Sequence, residues 1–184
     1  MKQVALTIAG AVDASGAHIE VQRLSEERAR RSLFRILKSN MLCSMATVTA
    51  VGRAHINTAY FSFTRDLVLY FLSHPSSTHC RNLATNPSIA IAVFSSRQIW
   101  SGPDQGLQLF GICHQAERAH AKRAAESYGE RFRQFLKWKS KLTPDDPARE
   151  YQWYEFVPNY IKVFDEKAFG EAVFVCVDVE PRKG

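Results

Sequence analysis

Short segments in which polar and apolar residues alternate, separated by turn signals, recur from residue 42 to residue 179. Such alternation is typical of half-buried β-strands and limits the helical content that the chain can have. The pattern predicts strands over residues 42–49, 54–63, 67–72, 88–95, 107–117, 151–164 and 172–179, the first three as an antiparallel meander. Because most links between the strands are short, an antiparallel β-barrel is favoured over an α/β fold.

Three segments have helical patterns and are expected to lie outside the barrel. They are residues 20–40, a short helix over 77–85 that ends before Pro87, and a basic amphipathic insertion of one or two helices over 118–141. Residues 1–19 precede the first helix as an N-terminal extension. The sequence therefore predicts one mainly-β domain over residues 1–184, a β-barrel with peripheral helices.

The composition excludes several classes of protein. Hydrophobic residues at 46% and charged residues at 23% are globular rather than disordered proportions. No apolar run is long enough to span a bilayer, and the run over residues 4–12 is short for a signal peptide, so we expect a cytoplasmic protein without membrane association. The cysteines form no Cys-x-x-Cys pair and are expected to be buried thiols: Cys43, Cys80, Cys113 and Cys176.

The segment His74–Leu83 is the most informative for chemistry. Its predicted helix N-terminus carries three hydroxyl side chains, those of Ser76, Ser77 and Thr78. Backbone N–H groups and the helix dipole favour an anion at such a position, and His79 and Arg81 can add positive charge. The net charge of +6 also suits an anionic ligand. These residues indicate either a phosphate site without a Gly-rich loop or simple helix capping, and the two interpretations stay open here.

Other kinds of site have little support in the sequence. The spacing of His74, His79 and Cys80 matches no zinc site, and haem ligation by a histidine is similarly weak. There is no nucleophile elbow, no dinucleotide-binding fingerprint and no Walker loop. The Lys- and Arg-rich segment 118–141 could bind nucleic acid, but it has no known motif, and its aromatic residues have spacings that also pack a helix. A reaction on this scaffold would therefore depend on a cofactor.

Three groups of residues resemble those of a known family. They are Phe71-Leu72-Ser73-His74 followed by Ser77-Thr78-His79 and Asn86-Pro87, the strand Leu107-Gln108-Leu109-Phe110-Gly111, and the C-terminal Pro158-x-x-Ile161-Lys162-x-x-Asp165 followed by Phe169-Gly170. On these residues the chain resembles, from about residue 32 to residue 179, the FMN-binding split-barrel superfamily that contains pyridoxamine 5'-phosphate oxidase. The C-terminal motif is similar to that of the YhbP-like branch.

The resemblance implies an antiparallel split barrel that forms a homodimer with two FMN sites at the subunit interface. The residues implied to hold the FMN phosphate are Ser77, Thr78 and His79, with Ser73 and His74 nearby. Those implied to lie along the isoalloxazine ring are His55, Asn57, Thr58 and Ala59. Those implied to come from the partner chain are Trp100 and Gln108, with Tyr151 or Trp153. The implied function is that of an FMN-dependent oxidoreductase acting on a small molecule.

Two departures from the superfamily pattern bear on that function. Thr78-His79 stands where the superfamily has Arg-Lys, so FMN binding is expected to be weaker or pH-sensitive unless Arg81 compensates. The oxidase's C-terminal Arg-Leu-His-x-Arg motif is absent, so true pyridoxamine phosphate oxidase activity is not expected. The alternatives are the deazaflavin F420 or haem as the cofactor, and a non-catalytic carrier or sensor on the same barrel.

Overall fold

A computed structural model describes residues 4–180, in which nine strands form one antiparallel sheet and the helices lie around it. The elements in chain order are β1 (Leu6–Val12), α1 (Glu26–Ser39), β2 (Leu42–Val48), β3 (Ala54–Tyr60), β4 (Ser62–Phe63), β5 (Leu69–Ser73), α2 (Thr78–Thr85), β6 (Ser88–Phe94), β7 (Gln105–Gln115), α3 (Arg118–Arg131), α4 (Phe135–Ser140), a 3-10 helix (Pro147–Glu150), β8 (Gln152–Asp165), α5 (Glu166–Phe169) and β9 (Phe174–Val179). This architecture confirms the predicted mainly-β class.

The long strand β8 divides the sheet into two branches. The strands follow the order β1-β9-β8-β7-β6-β2-β3, and β5 pairs separately with the first half of β8. The second half of β8, from Tyr160 to Phe164, pairs with β9 instead. Gly111 lies where the register between β7 and β8 shifts, and a Cβ atom there would lie 2.2 Å from the carbonyl oxygen of Val157. This close approach of two backbones requires glycine.

The predicted three-stranded meander is correct only in part. β2 and β3 do pair, from Leu42 opposite Tyr60 to Val48 opposite Ala54. Residues 54–63 are two strands separated by the buried Phe61, and only the short β4 pairs with β5, with Ser62 opposite Tyr70 and Phe63 opposite Leu69. The longer pairing of β5 is with β8 instead. The alternation of polar and apolar residues predicts where a strand lies, but it does not indicate which distant strand forms backbone hydrogen bonds with it. As a result the edges of β3 and β5 approach each other without a ladder between them in the described residues.

The N-terminal part of the chain belongs to the sheet rather than being a separate extension. Residues 6–12 form β1, which pairs with β9, whereas residues 1–3 of the predicted extension lie outside the described residues. The first helix begins at Glu26 rather than at residue 20. Ser25 fixes that start, because its side chain accepts a hydrogen bond from the backbone N–H of Arg28.

The barrel interior and α1 form the main hydrophobic core, and all four cysteines are buried as free thiols. Burial raises the pKa of the Cys43 thiol to about 12, so it is unreactive at neutral pH. In residues 4–180 no helix is long and apolar enough to cross a membrane.

Helices α3 and α4 pack over β5 and β8 and form a second apolar cluster there. Arg131 holds α3 in place, because its guanidinium donates hydrogen bonds to the carbonyls of Leu37 and Asn40 at the end of α1. The same guanidinium lies 4.8 Å from the ring centroids of Phe61 and Phe63. These contacts fix α3 and α4 beside the open seam between β3 and β5.

Candidate functional site

A cavity of about 610 Å³ occupies the seam between β3 and β5. Seven residues expected at a cofactor site line it: Asn57, Thr58, Ala59, Ser73, His74, Ser77 and His79. The remaining walls come from the chain around α3 and α4 and from both strands, through Tyr60, Leu72, Tyr128, Phe132, Gln134, Phe135, Trp138 and Tyr151. Cofactor and ligand sites commonly have this size and a mainly apolar lining with a few polar groups.

His79 lies at the polar end of the cavity and is only 7% exposed. Its Nε2 atom is 2.8 Å from the Ser73 hydroxyl and 3.2 Å from the Ser77 hydroxyl. Its ring stacks on that of His55, with 6.5 Å between centroids and 6° between planes. Burial disfavours the charged imidazolium and lowers the pKa of His79 below its ordinary value. The side chain is therefore a neutral hydrogen-bonding group near pH 7.

The N-terminus of α2 faces the same end of the cavity. Ser77 occupies the N-cap position, but its hydroxyl makes no capping hydrogen bond and points to Ser73 and His79 instead. The first-turn N–H groups of α2 therefore keep their capacity to bind an anion. Asn82 anchors this helix to β2 through a buried hydrogen bond of 2.9 Å to the Thr47 hydroxyl. The simple capping interpretation of the sequence is wrong for Ser77.

Arg81 brings a fixed positive charge to this helix terminus. Its guanidinium donates to the carbonyl oxygen of Ser76 and lies 3.4 Å from the Thr78 hydroxyl, although its own backbone is one turn into α2. The side chain is exposed, so the charge is accessible from solvent. Arg81 thus adds a fixed positive charge at the start of α2, which the sequence position alone could not show.

His74 lines the cavity and connects two segments of the chain beside it. Its Nδ1 atom accepts a hydrogen bond from the Ser76 backbone N–H at 3.2 Å, which requires the proton to be on Nε2 in the neutral ring. Nε2 is 2.9 Å from the Glu150 carboxylate, and the ring makes an edge contact with Tyr151. His74 therefore connects the loop before α2 to the 3-10 helix before β8, and both of its nitrogens are engaged.

An aromatic wall lies at the opposite end of the cavity, because Tyr60 at the end of β3 contacts Phe132 whereas His55 near the start of β3 stacks on His79. Tyr128 contacts Phe132 and Phe135, with ring centroids 4.5 and 5.0 Å apart, and Trp138 follows one turn later. The sequence predicted amphipathic helices here but missed that they line a site. The aromatic side chains at residues 132, 135 and 138 recur every three residues, a signal that also fits ordinary helix packing.

Four of the predicted site residues do not line the cavity of their own chain. His55 lies behind His79, and Thr78 lies at the start of α2 next to Arg81. Trp100 is 95% exposed in the loop before β7, and Gln108 is exposed on the outer face of that strand. The assignment of these last two residues to a partner chain stays a prediction. Within residues 4–180 no group of three or more His, Cys, Asp or Glu side chains could hold a metal ion.

Known proteins with the same fold include several of the split-barrel type. The chain is similar to the haem storage protein HutZ from Vibrio cholerae, with 20% identity, a TM-score of 0.57 and coverage of 79% of this chain and 93% of that one. It is similar to a haem-binding protein from Mycobacterium smegmatis, with 17% identity, a TM-score of 0.62 and coverage of 87% and 59%.

A third structure is described as a putative pyridoxamine 5'-phosphate oxidase from Listeria innocua, with 16% identity, a TM-score of 0.56 and coverage of 73% of this chain and 96% of that one. At these identities the similarities establish the fold alone. No curated protein sequence matches the chain. The likeness to the YhbP-like branch stays a prediction. A family model described as pyridoxamine 5'-phosphate oxidase matches residues 30–177, well over half of the sequence, and the chain therefore belongs to that family.

Proposed function

We propose that the protein binds FMN in the cavity between β3 and β5 and is an oxidoreductase acting on a small molecule. The observation that carries the proposal is the polarity of this one cavity. An uncapped helix N-terminus with Arg81 beside it lies at one end, and a wall of aromatic rings lies at the other. FMN has the same division, with a phosphate at one end and a flat tricyclic ring at the other.

The phosphate end suits a dianion that is held largely by neutral donors. The N–H groups of the first turn of α2, the hydroxyls of Ser73 and Ser77, and the Arg81 guanidinium lie together there, and a phosphate would take the place of their present contacts with one another. A phosphate beside His79 would favour the imidazolium and oppose the effect of burial on its pKa. Binding is therefore expected to take up a proton at His79 and to be tighter at lower pH.

The ring end offers polar groups on one side and apolar surface on the other. Asn57 and Thr58 of β3 line one wall of the cavity, while Phe132 and Trp138 line the other. Bound FMN supplies hydride acceptance and donation, and the chain contributes orientation and exclusion of water. This division of roles explains why the cavity lining holds no evident pair of acid and base carboxylates among the described residues.

We also propose a homodimer formed through the outer face of the sheet. Ile56, Ala46, Ala90 and Phe110 form a row across β3, β2, β6 and β7 in the strand register. Ile56 is 71% exposed, and an apolar row of this kind on a sheet is typical of a protein interface. A partner on this face would cover the outer side of β7, where Gln108 lies.

Haem is the second candidate, because three imidazoles lie at or next to the cavity: His55, His74 and His79. The hydrogen bonds of His79 to hydroxyls and of His74 to Glu150 engage the nitrogens that would ligate iron, which favours FMN. The deazaflavin F420 remains an alternative ring system for the same cavity.

The test is a titration of cofactor-free protein with FMN, followed by quenching of flavin fluorescence at pH about 6 and about 8, on either side of the ordinary histidine pKa. We expect saturable binding of one FMN per chain that is tighter at the lower pH. A parallel titration with haemin, followed by its Soret absorbance, distinguishes the second candidate. Stoichiometric haemin binding without FMN binding would reject the proposal.

A further inference from the structure

A second, smaller cavity adjoins the proposed flavin site. Its volume is about 210 Å³, and four of its lining residues also line the larger cavity: Leu72, Phe135, Trp138 and Tyr151. Its other walls are formed by Lys139, Leu142, Ala148, Arg149 and Trp153. The two spaces therefore lie side by side, with α4, Leu72 of β5 and Tyr151 between them. A group in the smaller space would contact the side chains that border the larger one.

The smaller cavity, called the slot below, has the volume and the aromatic lining to accept an aromatic ring. Phe135 makes an edge contact with the buried Trp153, with 5.6 Å between centroids, and a tilted contact with Trp138 at 5.8 Å. These mutual contacts hold the rings of the wall in place. An apolar cavity of about 150 Å³ is enough to bind benzene. The space here is sufficient for a substituted aromatic ring.

Positive charge lines the same slot. Lys139 belongs to α4, and Arg149 is fixed by hydrogen bonds of 2.7 and 2.9 Å to the carbonyls of Thr143 and Leu142. The carboxylates of Asp146 and Glu150 are engaged elsewhere, because Asp146 accepts from the Ala148 backbone N–H and Glu150 contacts His74. No acidic side chain is among the described residues that line the slot. An anionic group would be favoured there.

We infer that this slot binds an aromatic anion, such as an aryl carboxylate, and that it holds the substrate beside the flavin. The assignment as a substrate site rests on the proposed function, whereas the binding of an aromatic anion rests on the slot itself. The aromatic rings provide contact area for the ring, and Lys139 provides attraction for the charge. The substrate class is thereby narrowed from small molecules in general to aromatic acids.

The experiment measures binding of naphthalene-2-carboxylate and its uncharged amide by calorimetry, with and without saturating FMN. We expect the carboxylate to bind about fivefold more tightly than the amide, which is the upper end of what a partly exposed ion pair contributes. Lys139→Gln should remove most of that preference. Lys137→Gln is the matched control, because it removes the same charge from α4 at a residue that lines neither cavity. Both variants should keep the parent's melting temperature and FMN affinity.

The outcomes separate the slot from the flavin. If the protein binds FMN but binds the carboxylate and the amide with equal affinity, the slot is not an anion site and the flavin proposal stands. The same conclusion follows if the two lysine variants have equal effects on the affinity for the carboxylate. If the protein does not bind FMN but prefers the carboxylate in a way that depends on Lys139, the proposal of an aromatic-anion site is supported and the proposal of FMN binding is rejected. Absence of naphthalene-2-carboxylate binding in either form of the protein also overturns the inference.

Discussion

Replacing Arg81 by glutamine tests the phosphate end of the proposed site. Arg81 is the fixed cation at the α2 N-terminus, next to Ser76 and Thr78. A hydrogen bond to a charged group contributes about 1.5–3 kcal/mol, and solvent exposure of this side chain reduces the expected contribution to about 1 kcal/mol. That free energy corresponds to a loss of FMN affinity of about fivefold.

The assay for Arg81→Gln is flavin fluorescence quenching with two ligands, FMN and riboflavin. Riboflavin has the same ring without the phosphate, so its affinity should be unchanged in the variant. Lys122→Gln, which removes an exposed charge from α3 away from the cavity, is the matched protein control. An equal loss for FMN and riboflavin, or an equal effect of the two variants on FMN, would refute the placement of the phosphate beside Arg81.

Three further predictions address the buried histidine, the sheet and the dimer. Burial lowers the pKa of His79 in the folded chain, so as the pH falls the unfolded chain binds a proton at this histidine before the folded chain does. The melting temperature of cofactor-free protein should therefore fall as the pH drops below about 6.5. Thermal denaturation should show a smaller fall in melting temperature for His79→Gln than for the parent protein. An equal fall in both proteins would contradict the effect of burial on the pKa of His79. Gly111→Ala should destabilise the fold by about 3 kcal/mol or more in urea unfolding, since its Cβ would lie 2.2 Å from a carbonyl oxygen, whereas Gly106→Ala, with 3.4 Å, should cost much less. Phe110→Asp should convert the proposed dimer to monomers in light scattering, and a parent protein that is already monomeric would exclude the dimer.

The sequence predicted most of the strands, though not β1, and it did not predict how the strands pair. In β3 the alternation of residue types corresponds to an alternation in burial, since Ile56 and Tyr60 are exposed whereas His55, Asn57 and Ala59 are half-buried. The pairing of β5 with β8 joins residues about eighty positions apart in the chain, from Leu69 opposite Phe156 to Ser73 opposite Gln152. Local alternation is the same for either partner, so the seam that holds the cavity could not be predicted.

The candidate site was predicted in part, and the gap has a physical reason. The family resemblance implied residues of β3, of the end of β5 and of the segment that leads into α2, and seven of them line one cavity. Neither the aromatic wall nor the orientation of Arg81 followed from spacing. Helices α3 and α4 and the link between them carry several apolar residues. Only the packing angle of the helices decides whether side chains such as Phe132 and Trp138 are buried in the core or line a cavity. The wall therefore depends on tertiary contacts such as those of Arg131 with α1.

A crystal structure of the protein with bound FMN tests the central claim most directly. The account predicts that the phosphate lies within hydrogen-bonding distance of the first-turn N–H groups of α2, with Arg81 and His79 beside it. It also predicts that the ring lies along Asn57 and Thr58 of β3, facing the aromatic wall. A flavin bound outside the seam between β3 and β5, or one whose phosphate points away from α2, would contradict the account.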